Sequence, residues 1–166
     1  MDGYGEPGRN RGRRIVEPLG LTGTHLPGAQ TTLPSPHARH YSPLMVPGAE
    51  QQDVTELNAS YAWAAGGVIS TLDDLTRFLA ALLAGHLLQP VLQEQMFTGA
   101  PGSTYGLGII RWPLAGNRTV WGHNGMIHGS FTIAAGTRDG THVAAANINS
   151  DNRDYPIDAF SDLFNA

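Results

Sequence analysis

The segment 121–126 has the residue types and spacing best suited to chemistry in this chain, and it reads Trp-Gly-His-Asn-Gly-Met. It follows a predicted strand and precedes a second glycine turn at His128-Gly129. A histidine between glycines can present its ring, and the backbone N–H groups of its neighbours, to a ligand. The alternative is a turn histidine that is hydrogen-bonded to nearby backbone. On this segment alone we favour the second interpretation, since lone histidines are common.

Lysine chemistry is excluded, because the ten basic residues of the chain are all arginines. No lysine is present to act as a general base, a Schiff-base former or a phosphate ligand. The chain also has no cysteine, which excludes disulfides and thiolate chemistry and leaves the redox compartment open. The net charge of −4 gives no support for binding to nucleic acid.

Two other groups of residues have simpler explanations than a functional site. His37 and His40 have a metal-like spacing, but they lie in a proline-rich loop without nearby carboxylates or cysteines. We interpret them as solvent-exposed loop histidines, and we predict neither a metal nor a cofactor. Tyr61 and Trp63 are candidates for lining a cleft, although we favour packing in the core for both.

The length and composition are those of one globular domain. At 166 residues, about 70% of the surface of the unfolded chain can be buried. A hydrophobic content of 41% with 14% charged residues is typical of a folded chain. No apolar run reaches the roughly eighteen residues of a membrane span, and the N-terminus lacks an apolar signal region, so the compartment stays unknown. We expect residues 1–14 to form a flexible tail and residues 15–166 to fold.

A helix is predicted from Ser70 to Gly85. Its leucines form one apolar stripe, namely Leu72, Leu75, Leu79 and Leu82. Ser70 or Thr71 can cap its N-terminus, and Asp73 and Asp74 stand in its first turn, where carboxylates are favourable. Capping explains both carboxylates without a catalytic pair. Ser70, as a candidate nucleophile, has no base nearby in the sequence and is explained in the same way.

The sequence changes to strand patterns after Gly99. A long proline-rich loop over 22–48 and a short helix over 90–97 come before this point. The predicted strands cover 105–112, 118–122, 130–137 and 142–148. Asp139-Gly140 indicates a hairpin between the last two strands, and a closing helix begins at Asp154. This order favours an α+β fold, in which helices cover an antiparallel sheet.

Several segments together resemble a known family. Residues 64–71 read Ala-Ala-Gly-Gly-Val-Ile-Ser-Thr, residues 105–108 read Tyr-Gly-Leu-Gly, and the segment 121–125 follows. In this order they resemble the C-terminal part of the class C β-lactamase and D-alanyl-D-alanine carboxypeptidase family, which includes related esterases. The segment 15–27 resembles the stretch just after the middle catalytic motif of that family. The resemblance covers about Ile15 to Ile148 and implies a partial transpeptidase-like fold.

The resemblance implies roles for four residues of the segment 121–126. His123-Asn124-Gly125 matches the third family motif in its His-x-Gly form, so His123 would hold a substrate carboxylate or polarise the leaving group. Asn124 and Gly125 would contact the substrate. The backbone N–H of Met126 would form half of an oxyanion hole, in which one donor contributes about 2.7–4 kcal/mol. Relatives act on β-lactams, D-amino-acid peptides or esters, and many are extracytoplasmic.

The first two family motifs have no match in this chain. Ser-x-x-Lys, which carries the nucleophile, is impossible without lysine, and no tyrosine is followed two residues later by asparagine, as Tyr-x-Asn requires. We therefore expect the chain to be inactive alone. It is either part of a serine hydrolase whose nucleophile lies on another segment or chain, or a stand-alone non-catalytic homologue that binds a ligand or partner. An enzyme with different chemistry around His123 is a third hypothesis. We also expect self-association, or binding to a chain that supplies the missing half.

Overall fold

A computed structural model describes residues 12–46, 48–151 and 157–164 of the chain. The helices, in chain order, are α1 (Glu17–Leu19), α2 (Trp63–Gly66), α3 (Leu72–Leu83), α4 (Pro90–Phe97) and α5 (Ile157–Asp162). The strands are β1 (Tyr41–Ser42), β2 (Gln52–Asp53), β3 (Ile110–Pro113), β4 (Thr119–Ile127), β5 (Ser130–Gly136) and β6 (Val143–Ile148). Of the predicted tail, residues 1–11 lie outside the described residues, and Gly12–Val16 form a helical turn that leads into α1.

The strands β3 to β6 form one antiparallel sheet in that order, which confirms the predicted meander and the α+β class. The strand β4 is longer than predicted. The sequence placed its end at Gly122, but pairing with β5 continues to Ile127 opposite Ser130. The turn comes only at Gly129, whose φ of 74° is left-handed. The segment 121–126 therefore lies inside a strand and not after one.

The side chains of β5 alternate between the two faces of the sheet, as the pleat of a strand requires. Ala134 packs on one face with residues of α3, of α4 and of the loop before β3, namely Leu79, Leu83, Met96, Phe97 and Ile109. On the other face, a second cluster contains Val120, Phe131, Ile133, Ala135, Phe160 and Phe164. Helices therefore cover both faces of the sheet, which agrees with the prediction of an antiparallel sheet covered by helices. The predicted start of the closing helix at Asp154 lies outside the described residues.

Helix α3 begins with a cap, as predicted, but the carboxylates of its first turn differ: Asp73 is exposed and Asp74 is buried. The Oγ1 of Thr71 accepts from the N–H of Asp74 and forms the cap. Asp74 is buried, and its Oδ2 accepts hydrogen bonds of 2.8 Å from the N–H of Gly23 and from the hydroxyl of Thr24. Capping alone therefore does not explain Asp74, which ties the loop before β1 to the helix.

Asp139-Gly140 lies at a hairpin turn between β5 and β6, as predicted. The carboxylate of Asp139 accepts from the hydroxyl of Thr137 at 2.6 Å, and from the N–H of Thr141 at 3.0 Å and its hydroxyl at 2.8 Å. These bonds, with that from Thr137 contributing most, lower the pKa of Asp139 from 3.8 to about 2. Gly140 has a φ of 72°, which suits glycine at this turn.

Two expectations about the region before α3 have different outcomes. The predicted loop over 22–48 has little regular structure beyond the short strand β1, which pairs with β2. The prediction that Tyr61 and Trp63 pack in the core is wrong, because 67% and 43% of their surfaces are exposed.

Among the described residues, no helix is both long enough and apolar enough to cross a membrane.

Candidate active site

The strand β4 leaves the core at His123. Val120 and Gly122 are buried, whereas the residues from His123 to Met126 are all exposed. Pairing between β3 and β4 ends at the same point, with Ile110 opposite Gly122. The neighbouring strand β5 continues alongside, with the buried Ala134 opposite His123. The four residues of the predicted site thus share an exposed stretch of strand, held by β5 on one side.

The two glycines of this stretch serve different needs. A Cβ atom at Gly122 would overlap the carbonyl oxygen of Ala134 and lie 2.7 Å from the Cα of Ala135. Only glycine lets β4 and β5 approach this closely. A Cβ at Gly125 would meet no heavy atom within 4 Å among those described. The packing of this chain therefore requires Gly122, and it leaves open space beside Gly125.

His123 makes two hydrogen bonds with its ring. Its Nδ1 contacts the carbonyl oxygen of Asn124, and its Nε2 lies 2.7 Å from the hydroxyl of Tyr105. The rings of Tyr105 and His123 meet edge to face, with centroids 5.6 Å apart. The alternative of a turn histidine is wrong in its first part, because His123 lies in a strand. The second part of that alternative agrees with the structure, because the ring of His123 bonds to the backbone of Asn124.

Tyr105 is the site residue to which sequence reasoning assigned no role. The Tyr-Gly-Leu-Gly segment contributed to the family resemblance, but a contact across 18 residues of sequence has no signature in the residues themselves. The sequence predicted a strand from Tyr105. The chain instead forms a single bridge between Tyr105 and Ile110 around a turn over 106–109, and the strand β3 begins at Ile110. This turn brings the phenol ring of Tyr105 back to His123.

Ser70 does not have the surroundings of a nucleophile. Its Oγ lies 2.8 Å from the Oγ1 of Thr24, which in turn donates to Asp74, and its hydroxyl also reaches the carbonyl of Thr71. No histidine takes part in these contacts. Capping is wrong as the explanation for Ser70, since Thr71 forms the cap, but the conclusion that Ser70 lacks a base agrees with these contacts.

A serine, a histidine and an aspartate do meet elsewhere, at positions that no sequence pattern connects. Ser42 donates to the Oδ2 of Asp151 at 2.8 Å, and the Nδ1 of His128 lies 3.5 Å from Ser42 and 3.6 Å from Asp151. The hydroxyl of Ser42 also accepts from the N–H of Leu44 and is fully buried. Because this hydroxyl is bonded to the acid directly and is out of reach of any substrate, the cluster joins segments of the fold and is not a catalytic triad.

The predicted loop histidines lie away from His123. His37 is exposed and lines a cleft of about 380 Å³ with Arg39 and Asp53. His40 bonds to the carbonyl of Gly129. Within the described parts of the chain, no group of three or more His, Cys, Asp or Glu side chains is arranged to hold a metal ion. Neither His123 nor Tyr105 lines this cleft.

Comparison with known families finds a match that covers most of the chain. A family model described as beta-lactamase matches residues 7–164. The chain belongs to the beta-lactamase family. The match includes β3 to β6 and the segment 121–126, so the histidine motif lies within the region that the family shares.

Solved structures related to this beta-lactamase-family chain are longer than it. It is 41% identical to a D-stereospecific amidohydrolase from Streptomyces sp., with a TM-score of 0.83 over 89% of this chain and 45% of that one. It is 26% identical to the D-amino acid amidase from Ochrobactrum anthropi SV3, with a TM-score of 0.73 over 95% and 50%. An octameric penicillin-binding protein homologue from Pyrococcus abyssi is 18% identical, with a TM-score of 0.70 over 95% and 36%, and shares the fold. The chain thus spans about half the length of the first two structures.

Proposed function

We propose that this chain is the C-terminal part of a serine hydrolase that transfers the acyl group of an amide or ester. The observation that carries the proposal is the exposed half of β4, where His123, Asn124, Gly125 and Met126 lie beyond the end of β3. A strand that is paired on one side and exposed on the other can receive an extended substrate along its open side. The fold thus offers a surface on which the family motif can meet a ligand.

The residues on this surface have separate roles in the proposal. His123 holds a substrate carboxylate or polarises the leaving group, and Asn124 and Gly125 contact the substrate beside it. The backbone N–H of Met126 stabilises the charge that develops on the attacked carbonyl oxygen. Removing one such donor raises the barrier by about 2.7–4 kcal/mol in enzymes where it has been tested. The second donor would be the backbone N–H of the nucleophile.

The nucleophile and its base must come from a segment that carries Ser-x-x-Lys, because the chain has no lysine. A nucleophile with its base accounts for most of the rate in sites of this kind. The chain alone should therefore not form an acyl-enzyme. Among acyl substrates we favour D-amino-acid amides, since the D-stereospecific amidohydrolase is 41% identical to this chain.

A complementation assay tests this function. The chain is incubated with D- and L-phenylalanine p-nitroanilide, a p-nitrophenyl ester and a chromogenic β-lactam, first alone and then with a separately expressed segment carrying Ser-x-x-Lys and Tyr-x-Asn. Alone it should hydrolyse none of them faster than buffer, and mass spectrometry should detect no acyl adduct. The mixture should turn over the D-amide in preference to the L-amide, and His123→Ala should abolish this gain. An adduct on a serine of the isolated chain would overturn the assignment.

Open features at both edges of the sheet suggest where a second polypeptide would bind. The outer edge of β6 pairs with no strand among the described residues, and Leu107 and Met126 expose 68% and 57% of their surfaces. Open edges and exposed apolar side chains favour association. We propose that the nucleophile-bearing segment covers these features, and that the chain self-associates without it. Light scattering on the assay samples separates these states, and a monodisperse, cooperatively melting monomer would favour the alternative of a stand-alone homologue that binds a ligand.

A further inference from the structure

The hydrogen bonds of His123 determine which ring nitrogen carries its hydrogen. The carbonyl oxygen of Asn124 can only accept, so Nδ1 must be the donor in that contact. In the neutral ring Nε2 is then the acceptor, and it takes the hydrogen of the Tyr105 hydroxyl at 2.7 Å. Both nitrogens are thereby engaged, although the ring itself lies on the exposed half of β4.

The backbone of Tyr105 is fixed by the turn that follows it. The N–H of Gly106 donates to the carbonyl of Ile109, and the N–H of Leu107 donates to the carbonyl of Met96 in α4, both at 2.8 Å. A Cβ at Gly106 would overlap that same carbonyl of Met96, so the turn packs directly against the helix. Ile109 is almost fully buried. Tyr105 is itself about half exposed, but the turn on its C-terminal side attaches it to the core.

We propose that Tyr105 is a positioning residue, which holds His123 as the Nδ1–H tautomer and in one ring orientation on β4. The Tyr-Gly-Leu-Gly segment then has a function: its tyrosine reaches the histidine of His-x-Gly, and Gly106 permits the close approach that fixes this tyrosine. The assignment to an acyl-transfer site rests on the proposed function, whereas the Tyr105–His123 pair itself does not.

The chain contains an internal control for this pair. His37 is also exposed, and its Nδ1 also contacts the carbonyl of the following residue, Ala38, at 2.9 Å. No tyrosine bonds to its Nε2 among the described residues. The two histidines therefore share the backbone contact and differ in the tyrosine. Tyr61 provides a matched control substitution, since it is 67% exposed and lies outside the contacts of His123.

Diethyl pyrocarbonate, which reacts with an unprotonated imidazole nitrogen, tests the pair on the full chain without any turnover. Labelling followed by peptide mass spectrometry should show that His123 reacts more slowly than His37. Tyr105→Phe should speed labelling of His123 about two- to tenfold, the range expected for loss of one hydrogen bond. Tyr61→Phe should leave it unchanged, and labelling of His37 should be the same in all samples. Equal rates at His123 and His37 in the unaltered chain, or no acceleration in Tyr105→Phe, would overturn the proposal.

A second measurement needs no variant. Nitrogen-15 NMR of the chain, with the histidine rings in their neutral form, should show the hydrogen of His123 on Nδ1 and an unprotonated Nε2. A hydrogen found on Nε2 would overturn the proposal even if Tyr105→Phe failed to fold. Since neither measurement involves catalysis, a failed complementation assay would count against the proposed function and leave the pair intact. If complementation succeeded but the labelling and NMR results went against the pair, the proposed function would stand without a positioning role for Tyr105.

Discussion

Replacing Gly122 by alanine should destabilise the fold strongly, although the change adds a single methyl group. The new Cβ would overlap the carbonyl of Ala134 and lie 2.7 Å from the Cα of Ala135, which are both backbone atoms of the neighbouring strand. No side-chain rotation can relieve such a clash, so β4 and β5 must move apart by about 1 Å. This movement also weakens the cross-strand hydrogen bonds beside Gly122.

The expected cost follows from these two effects. Overpacking a well-packed interior costs about 1–3 kcal/mol, and a weakened backbone hydrogen bond costs about 1 kcal/mol more. We expect a loss of about 3 kcal/mol, which is a large share of the 5–15 kcal/mol that stabilises a typical domain. At roughly 2–4 °C for each kcal/mol in a chain of this size, the melting temperature should fall by about 6–12 °C.

Gly125→Ala is the matched control, three residues along the same strand. A methyl group there meets no described atom within 4 Å, and neither glycine has a left-handed φ that would penalise alanine. Its melting temperature should stay close to that of the unaltered chain, within the roughly 0.5 kcal/mol typical of surface changes. In the complemented enzyme, however, Gly125→Ala should raise KM, because the methyl group projects into the substrate surface.

Urea and thermal unfolding followed by circular dichroism measure both variants. The reasoning fails if Gly122→Ala melts with the unaltered chain, or if Gly125→Ala is destabilised as much as Gly122→Ala. The first result would mean that β4 and β5 are not packed at contact distance. The second would mean that the half of β4 after Gly122 is buried in the folded chain, and so unavailable to a ligand.

Two further predictions concern carboxylates, and urea unfolding checks both. Asp74→Ala should lose about 2–4 kcal/mol, because the N–H of Gly23 and the hydroxyl of Thr24 lose a buried, charged partner. Asp73, the exposed neighbour of Asp74, provides the control. Asp73→Ala should lose only the roughly 0.3–1 kcal/mol of a helix-dipole interaction. Equal losses of stability in the two variants would contradict the role of Asp74. The pKa of Asp139 is lowered from 3.8 to about 2, so its stabilisation is present above pH 3.8 and is lost as the pH falls through about 2. Asp139→Ala should therefore be less stable than the unaltered chain at neutral pH, and the difference should disappear below pH 2. A difference that persisted below pH 2 would refute the role of the carboxylate.

The elements that the sequence predicts well are those specified by local patterns. The leucine stripe, the Thr71 cap and the glycine after the helix together define α3, and Pro90 fixes the start of α4 at the predicted residue. Errors arise where tertiary contacts overrule the local pattern. Gly122 and Gly125 suggested the end of a strand, yet pairing with β5 carries β4 through both of them. Glycine in a strand often indicates a close approach of backbones, and Gly122 is an example.

The candidate site shows the same division more sharply. The family resemblance predicted His123 as a site residue from its own segment, because a histidine between glycines is a local feature. The partners that define its state come from elsewhere: Tyr105 through a turn packed on α4, and Ala134 through the register of β5. A sequence can therefore indicate a candidate residue for the chemistry, while the tautomer and ring orientation of that residue depend on the fold. For this chain, the ring of His123 is already held before any nucleophile arrives. A complementing segment would then need to supply the serine and lysine of Ser-x-x-Lys, the Tyr-x-Asn motif and the second oxyanion donor.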